Sequence, residues 1–253
     1  MESAKNRVLE IQKNGYDIDF GRVFENAFEN YKKIALIAGI TILLFSMVIL
    51  LIGISSFVMY GGYRTVADII ANLKLQNFTI IHILIFVTII SIISGLLSPI
   101  PAGILKMAHC ASKNNKFSVG TVFDYYGNSH FKDLFLATFC ISIWTTSISF
   151  LLDYFEIKYL GALITYSISF FSFLTIPFII FGSLNAYDAI KASFIVVSKQ
   201  FFILLGLLIV STLIVCMGLI GFCIGIFFTL PFIYSMYYSI YINSIGIKEE
   251  IIT

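Results

Sequence analysis

Charge is what this chain has least of. Only 12% of its 253 residues are Asp, Glu, Lys or Arg and 59% are hydrophobic, against about 25% charged in an ordinary soluble domain. From Phe201 to Asn243 there is no Asp, Glu, Lys, Arg or His. A helix crosses a bilayer with about 20 apolar residues, so this stretch suffices for two crossings, with Gly218-Leu-Ile-Gly221 as a tight reversal between them. A soluble fold is excluded, and the net charge of +2 is too small to recruit nucleic acid. Catalytic signatures are also missing. The chain has no HExxH, GxSxG or P-loop and no paired intramembrane aspartates, so intramembrane proteolysis, acyl transfer and nucleotide hydrolysis lack their parts. His82 is the one ionisable residue placed inside a span, near its outer end, and reads as interfacial. His109 and His130 lie in the 102–133 segment with no carboxylate at a useful spacing. Proton-coupled transport needs titratable relays within the bundle, and none is visible. None of Cys110, Cys140, Cys216 and Cys223 forms a CxxC. Cys216 and Cys223 flank the reversal and read as small packing residues rather than as a disulfide. No metal and no cofactor is expected, and the chain reads as a non-enzyme.

Apolar runs are what the chain has most of. They predict an all-α polytopic membrane protein with six transmembrane helices, at about 34–58, 79–105, 134–152, 159–182, 201–219 and 222–244. The helices pair as three hairpins, each preceded by a cytoplasmic amphipathic segment. Residues 1–18 read as a cytoplasmic tail and 19–253 as one membrane domain. The acidic N-terminal stretch (Glu2, Glu10, Asp17, Asp19) and the length of the first apolar run predict a true span rather than a cleavable signal peptide. Within the first long loop, residues 64–75 read as a short interfacial helix.

Orientation follows from the basic residues. Lys5, Arg7, Lys13, Arg22, Lys32, Lys33, Lys106, Lys113, Lys116, Lys132, Lys191, Lys199 and Lys248 fall on one side of a six-span layout, and Arg64, Lys74 and Lys158 on the other. Thirteen against three places both termini in the cytoplasm.

A weak internal repeat accompanies the hairpins. Gly21-Arg-Val-Phe-Glu25 precedes span one and Gly120-Thr-Val-Phe-Asp124 precedes span three; Tyr187 to Phe194 precedes span five. Phe20, Val23, Phe24, Ala27, Phe28 and Tyr31 form a continuous helical stripe with Asp19 as N-cap, the pattern of an interfacial helix in the headgroup plane or, alternatively, of a partner-docking helix. All four prolines, Pro99, Pro101, Pro177 and Pro231, lie in the even spans. Each reads as a kink whose freed carbonyl is met by Ser98, Thr175 or Thr229. Gly218, Gly221 and Gly225 allow close helix packing. Tyr234, Tyr238 and Tyr241 line one face of span six, as an aromatic belt or as a lipid- or ligand-binding face.

The segments Ala189-Ile-Lys-Ala-Ser-Phe194, Gly218 to Pro231 with Tyr241, and Pro101-Ala-Gly103 resemble the uncharacterised bacterial six-span proteins grouped with the membrane domain of glycerophosphoryl diester phosphodiesterases. In that family the catalytic domain is a separate soluble barrel, and no stretch here outside the spans is long enough to encode it. The resemblance therefore implies a bacterial inner-membrane protein and carries over no catalytic residue. The expected role is an accessory, scaffold or lipid-associated subunit whose partners are membrane lipids and another membrane protein. The alternative is a carrier for a lipophilic or neutral solute that uses the proline-kinked helices.

Overall fold

The computed structural model describes residues 4–61, 80–155, 157–220 and 224–246, with the backbone alone at 56–61 and 158. The expected interfacial helix at 64–75, and Gly221, Cys223 and Lys248, lie outside the described residues. The elements are α1 (Ala4–Asn14), α2 (Phe20–Gly61), α3 (Ile80–Leu97), α4 (Pro99–Ser112), a 3-10 turn (Val119–Phe123), α5 (Phe131–Tyr154), α6 (Lys158–Ser172), α7 (Thr175–Ile180), α8 (Ala186–Lys199), α9 (Phe201–Met217), α10 (Gly225–Thr229) and α11 (Pro231–Ser244). Six stretches are long and apolar enough to cross a membrane: Phe20–Ser55, Ile80–Ser112, Phe131–Tyr154, Tyr159–Ile180, Phe201–Ile220 and Gly225–Ser244. Among the described residues there is no strand. The protein is an all-α polytopic membrane protein.

Three of the basic stretches, those of residues 4–33, 106–133 and 186–200, meet at one end of the bundle, hereafter the basic end. Lys5 Nζ pairs with Asp188 at 2.9 Å, and Lys33 Nζ donates to Asn114 Oδ1 at 2.9 Å. The Ala186 N–H donates to Asp133 Oδ1 at 3.1 Å, and Gln200 Nε2 donates to Tyr16 O. These bonds join segments far apart in sequence.

Three expectations for this end need correction. Residues 4–14 are not a tail. They form α1, which packs on α8 with Val8 and Ile11 buried. Residues 19–33 do not form a helix of their own in the headgroup plane. They are the start of a 42-residue helix that runs through the first span, about 63 Å at 1.5 Å per residue. Asp19 does cap it, its Oδ1 accepting from the Arg22 N–H at 2.6 Å. The stripe is a protein-packing face: Val23 and Ala27 are fully buried. Phe24, Phe28 and Tyr31 surround the Phe232 ring of α11 at 6.0, 6.5 and 5.4 Å. The three segments preceding the odd spans are also unlike one another: the first is continuous with its span, the second is a 3-10 turn, and the third is the separate helix α8. In α8 the buried face is Ala189, Ala192, Ser193, Val196 and Val197, while Tyr187 stands out in the open. Lipid accepts apolar side chains as readily as a protein core does, so apolar periodicity alone could not choose between these faces.

Candidate functional site

The even spans restart at their prolines. The helix of span two stops at Leu97 and resumes with Pro99; that of span four stops at Ser172 and resumes at Thr175; that of span six stops at Thr229 and resumes with Pro231. Pro99 and Pro231 are the first residues of their new helices, and Pro101 and Pro177 the third. First-turn N–H groups have no intrahelical acceptor, so a ring without an N–H costs little there. The residues between, Ser98, Leu174 and Leu230, keep right-handed helical backbone angles, so each site interrupts the hydrogen-bond ladder of a helix that otherwise continues. In spans two and four the break separates a mostly exposed helix from a buried one, α3 from α4 and α6 from α7, and in span six a half-buried helix from a buried one, α10 from α11.

Of the three expected hydroxyls, Ser98 meets a freed carbonyl, the one four residues before Pro99, whereas Thr229 bonds carbonyls other than that of Phe227, four residues before Pro231. Ser98 Oγ donates to Gly95 O at 2.7 Å. Thr229 Oγ1 lies within 3.3 Å of the carbonyls of Gly225, Ile226 and Val215. Thr175 does not act in this way: its Oγ1 is buried without a partner. In span four the service comes from α8. Ser193 Oγ accepts from the Leu174 N–H at 3.2 Å and donates to Phe171 O at 2.7 Å. A neighbouring helix thus satisfies one donor and one acceptor at the interruption.

Glycines set the close approaches. A Cβ on Gly225 would lie 2.4 Å from Gly218 O, and one on Gly218 2.3 Å from Thr229 Oγ1, so these two pack within the chain. A Cβ on Gly103 would meet the Val122 backbone at 2.4 Å, which seats the 3-10 turn on α4. Cys110, Cys140 and Cys216 are free thiols.

A polar pocket of about 260 Å³ opens at the basic end between α2, α4 and α11. Helix α2 contributes Asn26, Glu29, Asn30 and Lys33, one helical face by spacing. Helix α4 contributes Ser112, and α11 contributes Tyr238, Ser239, Ile242 and Asn243. Asn30 is 5% exposed. Its Nδ2 donates to Ala108 O at 2.8 Å, and its Oδ1 is buried without a partner. Lys33 Nζ also donates to Ala111 O at 3.1 Å, placing a cation at the negative end of α4. That helix closes on Asn114 in the left-handed region, φ 56°, a residue that tolerates it. Tyr238 OH sits 2.6 Å from Ser112 Oγ and 3.0 Å from His109 Nδ1. Tyr238 and Tyr241 therefore do not face lipid: they are 2% and 0% exposed. Tyr241 packs on Phe178 and Phe181, and its hydroxyl is unpartnered; Tyr234 is half-buried. A second, mostly apolar groove of about 390 Å³ runs between α6 and α9, from Tyr166 to Tyr237.

Elsewhere at the basic end, burial and charge tune several groups. Burial pushes the Tyr16 phenol up to about 12, against a hydrogen bond to Ser244. Burial, then Asp124 and Cys110, raises Tyr125, beside a Lys106–Asp124 pair at 2.8 Å. The Lys5 ammonium on Asp188 holds that carboxyl below its ordinary range. Among the described residues no three His, Cys, Asp or Glu gather as metal ligands would.

Sequence reasoning gave Tyr238 to an aromatic belt or to a lipid- or ligand-binding face, and the structure sets it in the wall of the pocket; the bonding roles of Asn30 and Ser193 were missed. No protein family model, curated protein or solved structure matches this chain.

Proposed function

We propose that the chain is a non-catalytic accessory or scaffold subunit of the bacterial inner membrane, associated with lipid, with the basic end and both termini in the cytoplasm. The observation that supports this best is the free-standing part of α2. Residues 47–55, about two and a half turns, are exposed on every face, with Val48, Leu50, Leu51 and Ile52 all above half exposed. An apolar helix that its own bundle leaves uncovered is surface for lipid or for a helix of another protein. The thirteen-to-three basic count supports the orientation.

Co-purification in a mild detergent, read by mass spectrometry, tests the role, with a photo-crosslinker at Leu51. A stoichiometric membrane protein crosslinked at Leu51 is the expected result. Lipid alone at that position, in a stable monomer, would discard the scaffold reading. The carrier reading draws on the three broken helices, since half-helices can offer backbone groups to a solute. Uptake of a neutral solute into proteoliposomes, lost on sealing a break, would favour it instead.

A further inference from the structure

The pocket between α2, α4 and α11 holds an acceptor that the protein leaves unanswered. Asn30 is more than nine-tenths buried and lines the cavity, and its Oδ1 has no donor. A buried polar group left unpaired costs about 1–3 kcal/mol, so the site favours a guest that brings an N–H or O–H. The volume of about 260 Å³ exceeds the roughly 10–15 Å³ that one water requires. Two charges stand on the same wall: the Glu29 carboxylate and the Lys33 ammonium, one helical turn apart. Lys33 spends bonds on Ala111 O and Asn114 Oδ1, and an ammonium has three donors. One remains to face an anion. The wall is thus bipolar, and its carboxylate is shared with Lys32, which pairs with Glu29 at 2.6 Å.

Depth supplies the last constraint. The apolar run of α2 begins at Ile34, just after Lys33, and the charge-free run of the last span ends at Asn243, which also lines the pocket. The cavity lies where hydrocarbon gives way to headgroups.

We infer that this pocket binds a primary ammonium tethered to a phosphate, the chemistry of an ethanolamine phospholipid headgroup or of the free phosphoethanolamine solute. The ammonium donates to Asn30 Oδ1 and sits by Glu29, while the phosphate accepts from Lys33. A choline headgroup has no N–H and leaves Asn30 unanswered. The inference stands independently of the protein partner proposed above.

The test uses the full chain in detergent. Short-chain phosphatidylethanolamine, short-chain phosphatidylcholine, phosphoethanolamine and phosphocholine are titrated and read by native mass spectrometry. Each ethanolamine form is compared with its choline counterpart. The expected preference for ethanolamine is about tenfold, equal to about 1.4 kcal/mol. Asn30→Leu should bring it to within about twofold. Glu29→Gln changes an exposed residue and leaves the core intact, and should lower the preference about threefold. If only the lipid binds with that preference, the source is the membrane; if the free solute shows it too, the source is soluble. Equal binding of both headgroups by the native chain, or a preference unchanged in both variants, would overturn the inference.

Discussion

The two halves of this bundle obey different rules. At the basic end, α1, α4, α7, α8 and α11 bury most of their inward residues, with Phe178, Phe232 and Tyr241 fully enclosed. In the far half, α3 buries only Val87, Ser91 and Gly95. No residue of α5 beyond Ala137 is buried, and α2 is open from residue 47. The far half is joined by helix pairing, α3 on α5 and α5 on α6, and among the described residues its polar and ring contacts include a hydroxyl pair between Ser149 and Thr165 at 2.7 Å, another between Ser94 and Ser142 at 3.4 Å, and the Phe86–Phe150 edge contact. Both halves are apolar, so hydrophobicity does not separate them. The basic end differs in also containing α1, the 3-10 turn and α8, which lie outside the spans and can use the hydrophobic effect, whereas helices in lipid associate through shape and hydrogen bonds.

The contrast can be broken most forcefully by overlarge cavities. Phe178→Ala should destabilise the folded protein by about 3 kcal/mol, the cost of a void in a closed core. Leu51→Ala in the far half should change the unfolding midpoint in detergent by no more than scatter. If Leu51→Ala costs as much, the far half is packed after all.

Serines give the next test. Ser193→Ala strands both the Leu174 N–H and Phe171 O, and should cost about 2 kcal/mol. Ser211 is equally buried but only back-bonds to Leu207 O in its own helix at 2.7 Å, so Ser211→Ala should cost under about 0.5 kcal/mol. Matching losses would mean that Ser193 is not a bridge.

Added methyl groups should separate the halves by sign. Gly103→Ala drives a Cβ into the Val122 backbone and should cost about 1–3 kcal/mol. Nothing lies within 4 Å of a Cβ on Gly53, and Gly53→Ala should stabilise by a few tenths up to about 1 kcal/mol.

The smallest expected effect is pH-dependent and belongs to the basic end alone. Lys5 lowers the folded-state pKa of Asp188. The resulting stability is present above the unfolded carboxylate pKa and is lost as pH falls through the lower, folded value. Limited proteolysis near α1 should rise modestly on acidification into that range, and Asp188→Asn should remove the response. The pair is exposed, so the effect is small.

Much of the frame was legible because bilayer thickness fixes span length and charge fixes where spans stop. All six expected spans fall on the observed ones, with the clearest divergence in the first helix, which starts at Phe20 rather than at the apolar run. The prolines located the breaks, because their positions at the start of a helix are written in the residue type. Which way a helix faces was not legible. Tyr238 and Tyr241 share one face by spacing, yet that face turns inward, since lipid and core welcome the same side chain. The N-terminal helix was missed because Val8 and Ile11 are too few to mark a stripe in 11 residues. Ser193 and Asn30 were missed because a partner across the bundle, Phe171 O for one and Ala108 O for the other, leaves no trace in local sequence.

The bond from Lys5 to Asp188 has a consequence in time. The partners are separated by 183 positions along the chain. At a synthesis rate of about 5–20 residues per second, α1 emerges from the ribosome about 10–40 s before the helix that covers Val8 and Ile11 exists. For that interval the N-terminal segment has no native surface to dock on, while the earlier spans are already entering the membrane. The late-made α8 therefore completes α1, and assembly of the basic end waits until most of the spans have been made.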